Sequence, residues 1–537
     1  MRSRLPLVVL TVLAGCKSAE QWHEQADDEV YAILAERREE LGATDPFTID
    51  RPIDPLRDQL ERDPTAPLTL DLVGCLRVAA ENSRAWQDER EALYREALDL
   101  TLQRWDYTVK EEGTLGAFLR GTGRNAESEG FLANFNLIKL LGIGTLITAD
   151  AGLQLARDVA SGDWDALSHL TLNITQPILR GFGHDIVMEP LTQAERDVLY
   201  QARAYERFRR TFSVDIAQSF FNVLERQDRL KNEEANYANL QDLRKRNEAL
   251  GEAGRKADVE VDQARQDELS AEDRVVGVRR DVETALDAFK FQLGLPITVA
   301  LTLDEGGLRS LDAWQALFTE LSEEQVIQIG LQNRLDHRTA LDRMEDARRG
   351  VKVAADALRT GLNLTAAGAY VGEGDPDTDD FTFLLGVDVD LPIERMPERN
   401  AYRRALIEVE SSHRAAQQSG DLITAELRES LRSLQAARTS YDIQSGSVVL
   451  AQRRVDSASL NLDAGRVSTR DVLEAQESLL DAQNTLASSL TDAILAGLFL
   501  YRDMELLDVT DRGLEVLSET AAIAQPSSRM PREVRHP

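Results

Sequence analysis

Apolar residues recur every seventh position over two long stretches of the chain and alternate singly over several short ones. In the first long stretch Ile216, Val223, Leu230 and Tyr237 keep that spacing, which predicts a helix from about Leu191 to Leu250 with a return helix reaching about Leu293. In the second, Leu427, Leu434, Tyr441, Val448, Val455 and Leu462 keep it, and Val472, Leu479, Leu486, Ala493 and Leu500 continue it on the helix that follows. Ala475, Ala482 and Ala496 flank that column and are small enough to let neighbouring helices come close. A strict seven-residue repeat implies supercoiling, because an unperturbed helix turns every ~3.6 residues.

The short stretches have the period of strands. Tyr107–Leu119, Gly144–Ala156 and His169–Gln176 alternate ahead of the first long helix, and Asn363–Val371 and Phe381–Leu391 ahead of the second. In the last of these, Phe381, Phe383, Leu385, Val387 and Val389 oppose Thr382, Leu384, Gly386, Asp388 and Asp390. Such a strand suits a wall with lipid on one side and water on the other. Phe131–Ala149 is strongly apolar, but Asn134, Asn136, Lys139, Gly142 and Gly144 interrupt it and argue against a transmembrane helix.

The arrangement occurs twice. Ala253-Gly254-Arg255 aligns without a gap on Ala464-Gly465-Arg466, and with it Val261 on Val472, Ala264 on Ala475, Leu269 on Leu480 and Ala271 on Ala482. Two such halves point to an internal duplication. The expected division is a signal segment (1–15), a polar linker (16–67) carrying a helix near Ala26–Leu41, and a first repeat (68–296). A linker (297–320), a second repeat (321–507) and a loose polar tail (508–537) follow. The repeats begin with single helices, from Leu68–Leu70 to about Arg104 and from the Ser322 cap to about Thr360.

Composition sharpens this. Aromatics are 6% and charged residues 29% of 537 residues, a balance that favours a mainly α fold with narrow apolar seams and a small β part. The net charge of −31 argues against nucleic acid or an anionic membrane surface as a partner. At the N-terminus Arg2 and Arg4 precede an apolar run, Leu5 to Leu13, too short to span a bilayer. The run ends in Leu13-Ala14-Gly15-Cys16, which resembles a bacterial lipobox and implies cleavage before Cys16 and its acylation; an ordinary signal peptide with a chance cysteine is the alternative. By the same analogy Lys17 favours the outer membrane. Cys75 is the only other cysteine, so a lipidated chain has no internal disulfide, and Cys75 reads as a small buried residue.

From Leu68 to Leu507 the order helix, strands, strand–Pro turn, long helix, glycine tip, long helix resembles the TolC family of outer-membrane efflux proteins, the lipoprotein type of outer membrane factor. Ser219-Phe220-Phe221-Asn222-Val223-Leu224 resembles the family's aromatic-Asn-Val-Leu stretch. Thr175-Gln176-Pro177-Ile178-Leu179 and Val389-Asp390-Leu391-Pro392-Ile393 resemble its strand-to-helix turns, and Ala464-Gly465 with Asp471-Val472-Leu473-Glu474-Ala475 its hairpin tip. The resemblance implies a homotrimer in which each subunit gives four strands to one transmembrane barrel and its coiled-coil hairpins to one periplasmic tunnel. It implies a passive exit duct in a tripartite efflux or type I secretion system, with outer-membrane lipid, a periplasmic adaptor and an inner-membrane pump of RND or ABC type as partners. No cofactor, metal or catalytic residue is expected.

The resemblance also assigns sites. Asp471 and Glu474, with Glu260 in the first repeat, match the acidic constriction; three copies would form a ring that attracts cations and raises the carboxyl pKa values. The alternative is that Asp471 simply favours a first helical turn. Gly254, Arg255, Gly465, Arg466, Val467 and Ser468 form the tips an adaptor would touch. The family's tip Arg and Tyr are not matched at Val467 and Leu462, and residues 107–143 read as an insertion because the first half offers three candidate strands instead of two. Against an enzyme, there is no phosphate-binding loop, metal spacing or nucleophile elbow, and His23, His169, His184, His337, His413 and His536 are scattered. A periplasmic coiled-coil tether would explain the heptads and the lipobox but neither the paired strands nor the duplication.

Overall fold

The computed structural model describes residues 17–41, 47–51, 54–63, 67–122, 125–305, 314, 317, 321–372, 380–391, 393–510 and 513–516. The signal segment, Cys16 and Pro392 lie outside the described residues. In chain order the elements are α1 (Ala19–Glu40), α2 (Leu56–Arg62), β1 (Leu68–Leu70), α3 (Leu72–Asn82), α4 (Arg84–Asp106), β2 (Val109–Thr122), β3 (Asn125–Leu140), β4 (Leu146–Asp158) and β5 (Trp164–Pro177). Then come α5 (His184–Val187), α6 (Glu189–Glu252), α7 (Asp258–Gln292) and β6 (Leu301–Leu303). The second repeat holds α8 (Glu323–Asn333), α9 (Leu335–Ala357), β7 (Gly361–Gly372), β8 (Asp380–Asp390), α10 (Met396–Asp463) and α11 (Thr469–Asp503), followed by β9 (Leu507–Thr510) and β10 (Gly513–Val516).

The chain divides into two compact units. The first comprises Met1–Phe47, Ala92–Ala202 and Thr339–Gln418, the second Thr48–Glu91, Arg203–Arg338 and Ser419–Pro537. Each draws on both repeats.

The first unit is built on a six-stranded antiparallel sheet in the order β2-β3-β4-β5-β7-β8. The repeats join at β5 and β7, where ten consecutive residues pair from Ser168↔Gly372 to Pro177↔Asn363. Residues in register lie on the same face of a sheet, so the pairing sorts the side chains. One face carries Phe381, Phe383, Leu385, Tyr370, Leu170, Leu172, Leu153, Phe131, Phe135 and Leu115. The other carries Thr382, Asp388, Thr365, Asn173, His169, Asp150, Thr148, Asn134 and Asn136. The apolar face is open: Phe383 is 75% and Leu385 76% exposed. On the polar face His169 Nε2 lies 2.6 Å from Asp150 Oδ1. β2, β4 and β7 finish at one end of the sheet, the hairpin end; the helices leave from the other. Arg180 and Asp390 tie the two strand-to-helix turns at 2.7 Å.

Four expectations change. The first repeat has four strands rather than three: β3 was hidden because Leu132 and Ile138 stand on the polar face and blur the alternation of Phe131, Ala133, Phe135 and Leu137. The sheet therefore has six strands, not four, and the stretch read as an insertion supplies two of them, β2 and β3. Each leading helix is broken, at Ser83 and at Arg334, both just after an asparagine. The tail is not loose throughout, since β9 and β10 form a hairpin; residues 517–537 lie outside the described residues. Among the described residues no helix is long and apolar enough to cross a membrane.

The second unit holds a core of Trp86, Ile216, Phe220, Leu224, Phe289, Leu293, Leu427 and Ile494. The Phe220-Phe221-Asn222-Val223-Leu224 stretch is thus a packing motif, with Phe220 and Phe289 rings 6.5 Å apart. Its longest wholly contained helices, α7 and α11, have 35 residues each, or roughly 50 Å. Cys75 is buried in this core, and burial, then the charge of Asp71, pushes its thiol up to about 12. In a Cys16→Ser chain, iodoacetamide at about pH 8 is expected to label no thiol natively and Cys75 only after denaturation, because the thiolate is the nucleophile; mass spectrometry of the native adduct checks this.

Candidate functional site at the hairpin tips

α6 and α10 end in the same cap. Gly254 and Gly465 each have φ of 68°, in the left-handed region that glycine enters without a Cβ penalty. The Gly254 N–H donates to Gly251 O and the Arg255 N–H to Leu250 O, both at 2.8 Å. Their counterparts donate from Gly465 to Leu462 O at 3.0 Å and from Arg466 to Asn461 O at 2.9 Å. This paired closure satisfies carbonyls that a helix end leaves without partners. A Cβ on either glycine would meet nothing within 4 Å. Arg255, Arg466 and Ser468 are exposed, while Val467 packs against a small cluster of Leu243, Leu462 and Val472.

The outgoing helices begin differently. Ser468 caps α11: its Oγ accepts from the Asp471 N–H, and its own N–H and Oγ–H donate to Asp471 Oδ2 at 2.8 and 2.7 Å. Those donors hold the Asp471 carboxyl below the usual carboxylate range. Glu474 accepts from Arg454 Nη2 at 2.8 Å. The two acids proposed for one face therefore have separate partners in the single chain. α7 has no side-chain cap at Ala257; instead Lys256 Nζ lies 2.6 Å from Glu260 Oε2 and lowers that carboxyl.

Sequence reasoning missed what joins the tips. Thr469, the first residue of α11, has no exposed surface. Its Oγ1 accepts from Asn247 Nδ2 at 3.3 Å and from Lys256 Nζ, and donates to Glu260 Oε2 at 3.3 Å. Residues of α6, α7 and α11 thus converge on one hydroxyl. A signal existed: Asn247 extends the buried stripe of Leu240 and Leu243, a polar residue at a core position. Beside the tips, Asn236, Asp267, Arg274, Arg470, Glu474 and Glu477 line a cleft of about 250 Å³. Burial and then Glu477 raise the Asp267 carboxyl against the lowering pull of Arg274.

No curated protein matches the sequence. Among solved structures, the Campylobacter jejuni CmeC outer membrane channel has a TM-score of 0.59 at 16% identity, covering 86% of this chain and 89% of that one. CusC, described with transmembrane channel formation, has 0.59 at 17% identity, covering 85% and 98%. VceC, an outer membrane protein of Vibrio cholerae, has 0.57 at 16% identity, covering 81% and 95%. At those identities the likeness is one of fold. The sequence itself matches the model of the outer membrane efflux proteins over residues 147–295 and 326–501, one block in each repeat and together more than half of the chain. With the duplication, the twinned tips and the sided sheet in the same order, the chain belongs to the outer membrane efflux protein family.

Proposed function

We propose that this chain is the outer-membrane exit duct of a tripartite efflux or type I secretion system. Three copies close their sheets into one barrel and their hairpins into a periplasmic tunnel, which an adaptor and an inner-membrane pump of RND or ABC type engage at the tips. The sheet carries the reading: one face is apolar and exposed, the other polar, and a sheet with two free edges is not tolerated in lipid. Its long strands span a bilayer core, with Trp164, 57% exposed, at the hairpin end and Trp105, 51% exposed, just before β2 at the other. The helices favour packing with copies as well. Ile443, Val449, Leu450 and Leu460 on α10 and Val259, Leu269 and Val276 on α7 are each more than half exposed. Leu480, the repeat partner of Leu269, is 6% exposed, whereas Ala264 and Ala475, and Ala271 and Ala482, are buried alike, so the hairpins share one seam and differ beside it.

In this reading Cys16 carries the lipid, Asp471, Glu474 and Glu260 ring the constriction, and Gly254, Arg255, Gly465, Arg466, Val467 and Ser468 meet the adaptor. The duct is passive, with no catalytic residue or cofactor. The Cys16→Ser chain is expected to remain a detergent-requiring assembly and to form cation-conducting channels in a planar bilayer; solubility without detergent would favour a lipid-anchored tether instead. Asp471→Asn with Glu474→Gln removes both charges while Asn keeps an acceptor for the Ser468 cap. The double variant is expected to lose most of the block by polyvalent cations, and unchanged block rejects the ring.

A further inference from the structure

The family match begins at residue 147, inside β4, so β2 and β3 lie ahead of it. Yet both are full members of the sheet. β3 pairs with β4 without a break from Leu140↔Leu146 to Ser128↔Asp158. β2 pairs with β3 from Val109↔Lys139 to Thr122↔Asn125, with one irregularity at Arg120/Gly121. Their sidedness follows that of the other strands over the middle of each, although Phe118, Leu132 and Ile138 stand on the polar face and Glu111, Glu129 and Lys139 on the apolar one. Leu115, Leu119, Phe131 and Phe135 continue the apolar face, at 67, 70, 50 and 46% exposure. Lys110, Glu112, Thr114, Asn134 and Asn136 continue the polar one.

This arrangement decides which edge a neighbour can use. Both edges of β4 are occupied, by β3 and by β5, so no second copy can pair there without tearing β3 away. Among the described residues, β2 and β8 are the edges of this sheet that no further strand covers. β2 runs from the helix end towards the hairpin end and β8 runs back, so β8 of one copy meets β2 of the next antiparallel, as closure requires.

We infer that copies of this chain join β2 to β8, and that three copies build an eighteen-stranded barrel rather than one of four strands per copy. The inference rests on the reading that three copies form one barrel. Strands ~4.8 Å apart and tilted by ~40° give a backbone diameter of about 36 Å for eighteen strands, against about 24 Å for twelve. Barrels of that strand number keep a water-filled lumen. Polar side chains of β2 and β3 add to the wall, so the exit is wider and carries Lys110, Glu112 and Asn134 that a four-strand contribution lacks.

Cysteine pairs test it in membranes, in a Cys75→Ala background. Thr114→Cys on β2 is combined in turn with Thr382→Cys, Leu384→Cys, Gly386→Cys and Asp388→Cys on β8, because the register between copies is to be found by the scan. Thr148→Cys on β4 with the same four is the comparison. After oxidation, at least one β2–β8 combination is expected to shift the denaturing-gel band from one chain to two and three chains, reversibly with reductant. Cross-linked multimers from β4–β8 pairs, or no multimers from any β2–β8 pair in chains that resist urea extraction of the membranes, overturn the inference. Chains that urea extracts overturn instead the barrel reading beneath it.

Discussion

Glu505→Ala is expected to destabilise the second unit by about 3–5 kcal/mol, the usual loss on removing one partner of a buried ion pair. Glu505 is 6% exposed just after α11. Its carboxylate accepts from Arg207 Nη1 at 3.3 Å, from Arg210 Nη1 at 3.0 Å and from the Leu335 N–H at 3.2 Å. One side chain thus ties the end of α11 to α6 and to the start of α9. It does so from a strained backbone: with φ of 56° it is the only non-glycine of positive φ among the described residues. The Glu505 N–H donates to Arg502 O and the Leu506 N–H to Tyr501 O, both at 2.9 Å, the same closure as at Gly254 and Gly465. A carboxylate stands where glycine would be easier because its three donors outweigh a strain of about 1–2 kcal/mol. Glu505→Gly recovers the strain and loses the bonds, so denaturant midpoints followed by circular dichroism should rank wild type, then Glu505→Gly, then Glu505→Ala. A glycine variant as stable as wild type would refute the carboxylate's role.

Gly294→Ala is expected to cost about 2–5 kcal/mol, from left-handed strain and overpacking together. Gly294 ends α7 with φ of 75°, and its N–H donates to Phe291 O at 3.1 Å while the Leu295 N–H reaches Lys290 O at 2.9 Å. A Cβ there would stand 2.2 Å from Asn82 O and 2.5 Å from Asn82 C, backbone atoms at the break between α3 and α4. Arg57 Nη1 also donates to Gly294 O at 2.9 Å, so the turn cannot drift away freely. Gly254→Ala has nearly the same φ but an open surround. It should therefore lose only about 1–2 kcal/mol, and equal losses at the two sites would show that the contact with Asn82 is unimportant. Gly294 and Glu505 occupy equivalent positions of the duplication, the interval from Gly254 matching that from Gly465. The first copy uses the site to let another backbone approach, the second to place a charge.

The long helices were legible because heptad spacing survives any tertiary context, and their tips because a left-handed cap demands glycine at Gly254 and Gly465. Five strands were legible from alternation. β3 was not, since two aliphatics on a water-facing side remove the period that betrays a strand. The breaks at Ser83 and Arg334 coincide with contacts that no local pattern announces: Asn82 backbone lies against Gly294, and Arg334, 3% exposed at its side chain, bonds Asp336 at 2.7 Å and also Glu426. The acids of the constriction could be named from the sequence, but not their partners Ser468, Arg454 and Lys256. Those depend on which helix lies beside which.

The interleaving of the repeats in both units has a consequence for folding. β5 waits for β7, whose partner residues lie as far apart as Ser168 and Gly372, and the core around Phe220 waits for Leu427 and Ile494. The first repeat by itself therefore completes neither unit. Until the second half joins it, the first half exposes a sheet edge and an unfilled core, and such distant pairing makes folding slow and binds the two descendants of one ancestral segment to each other.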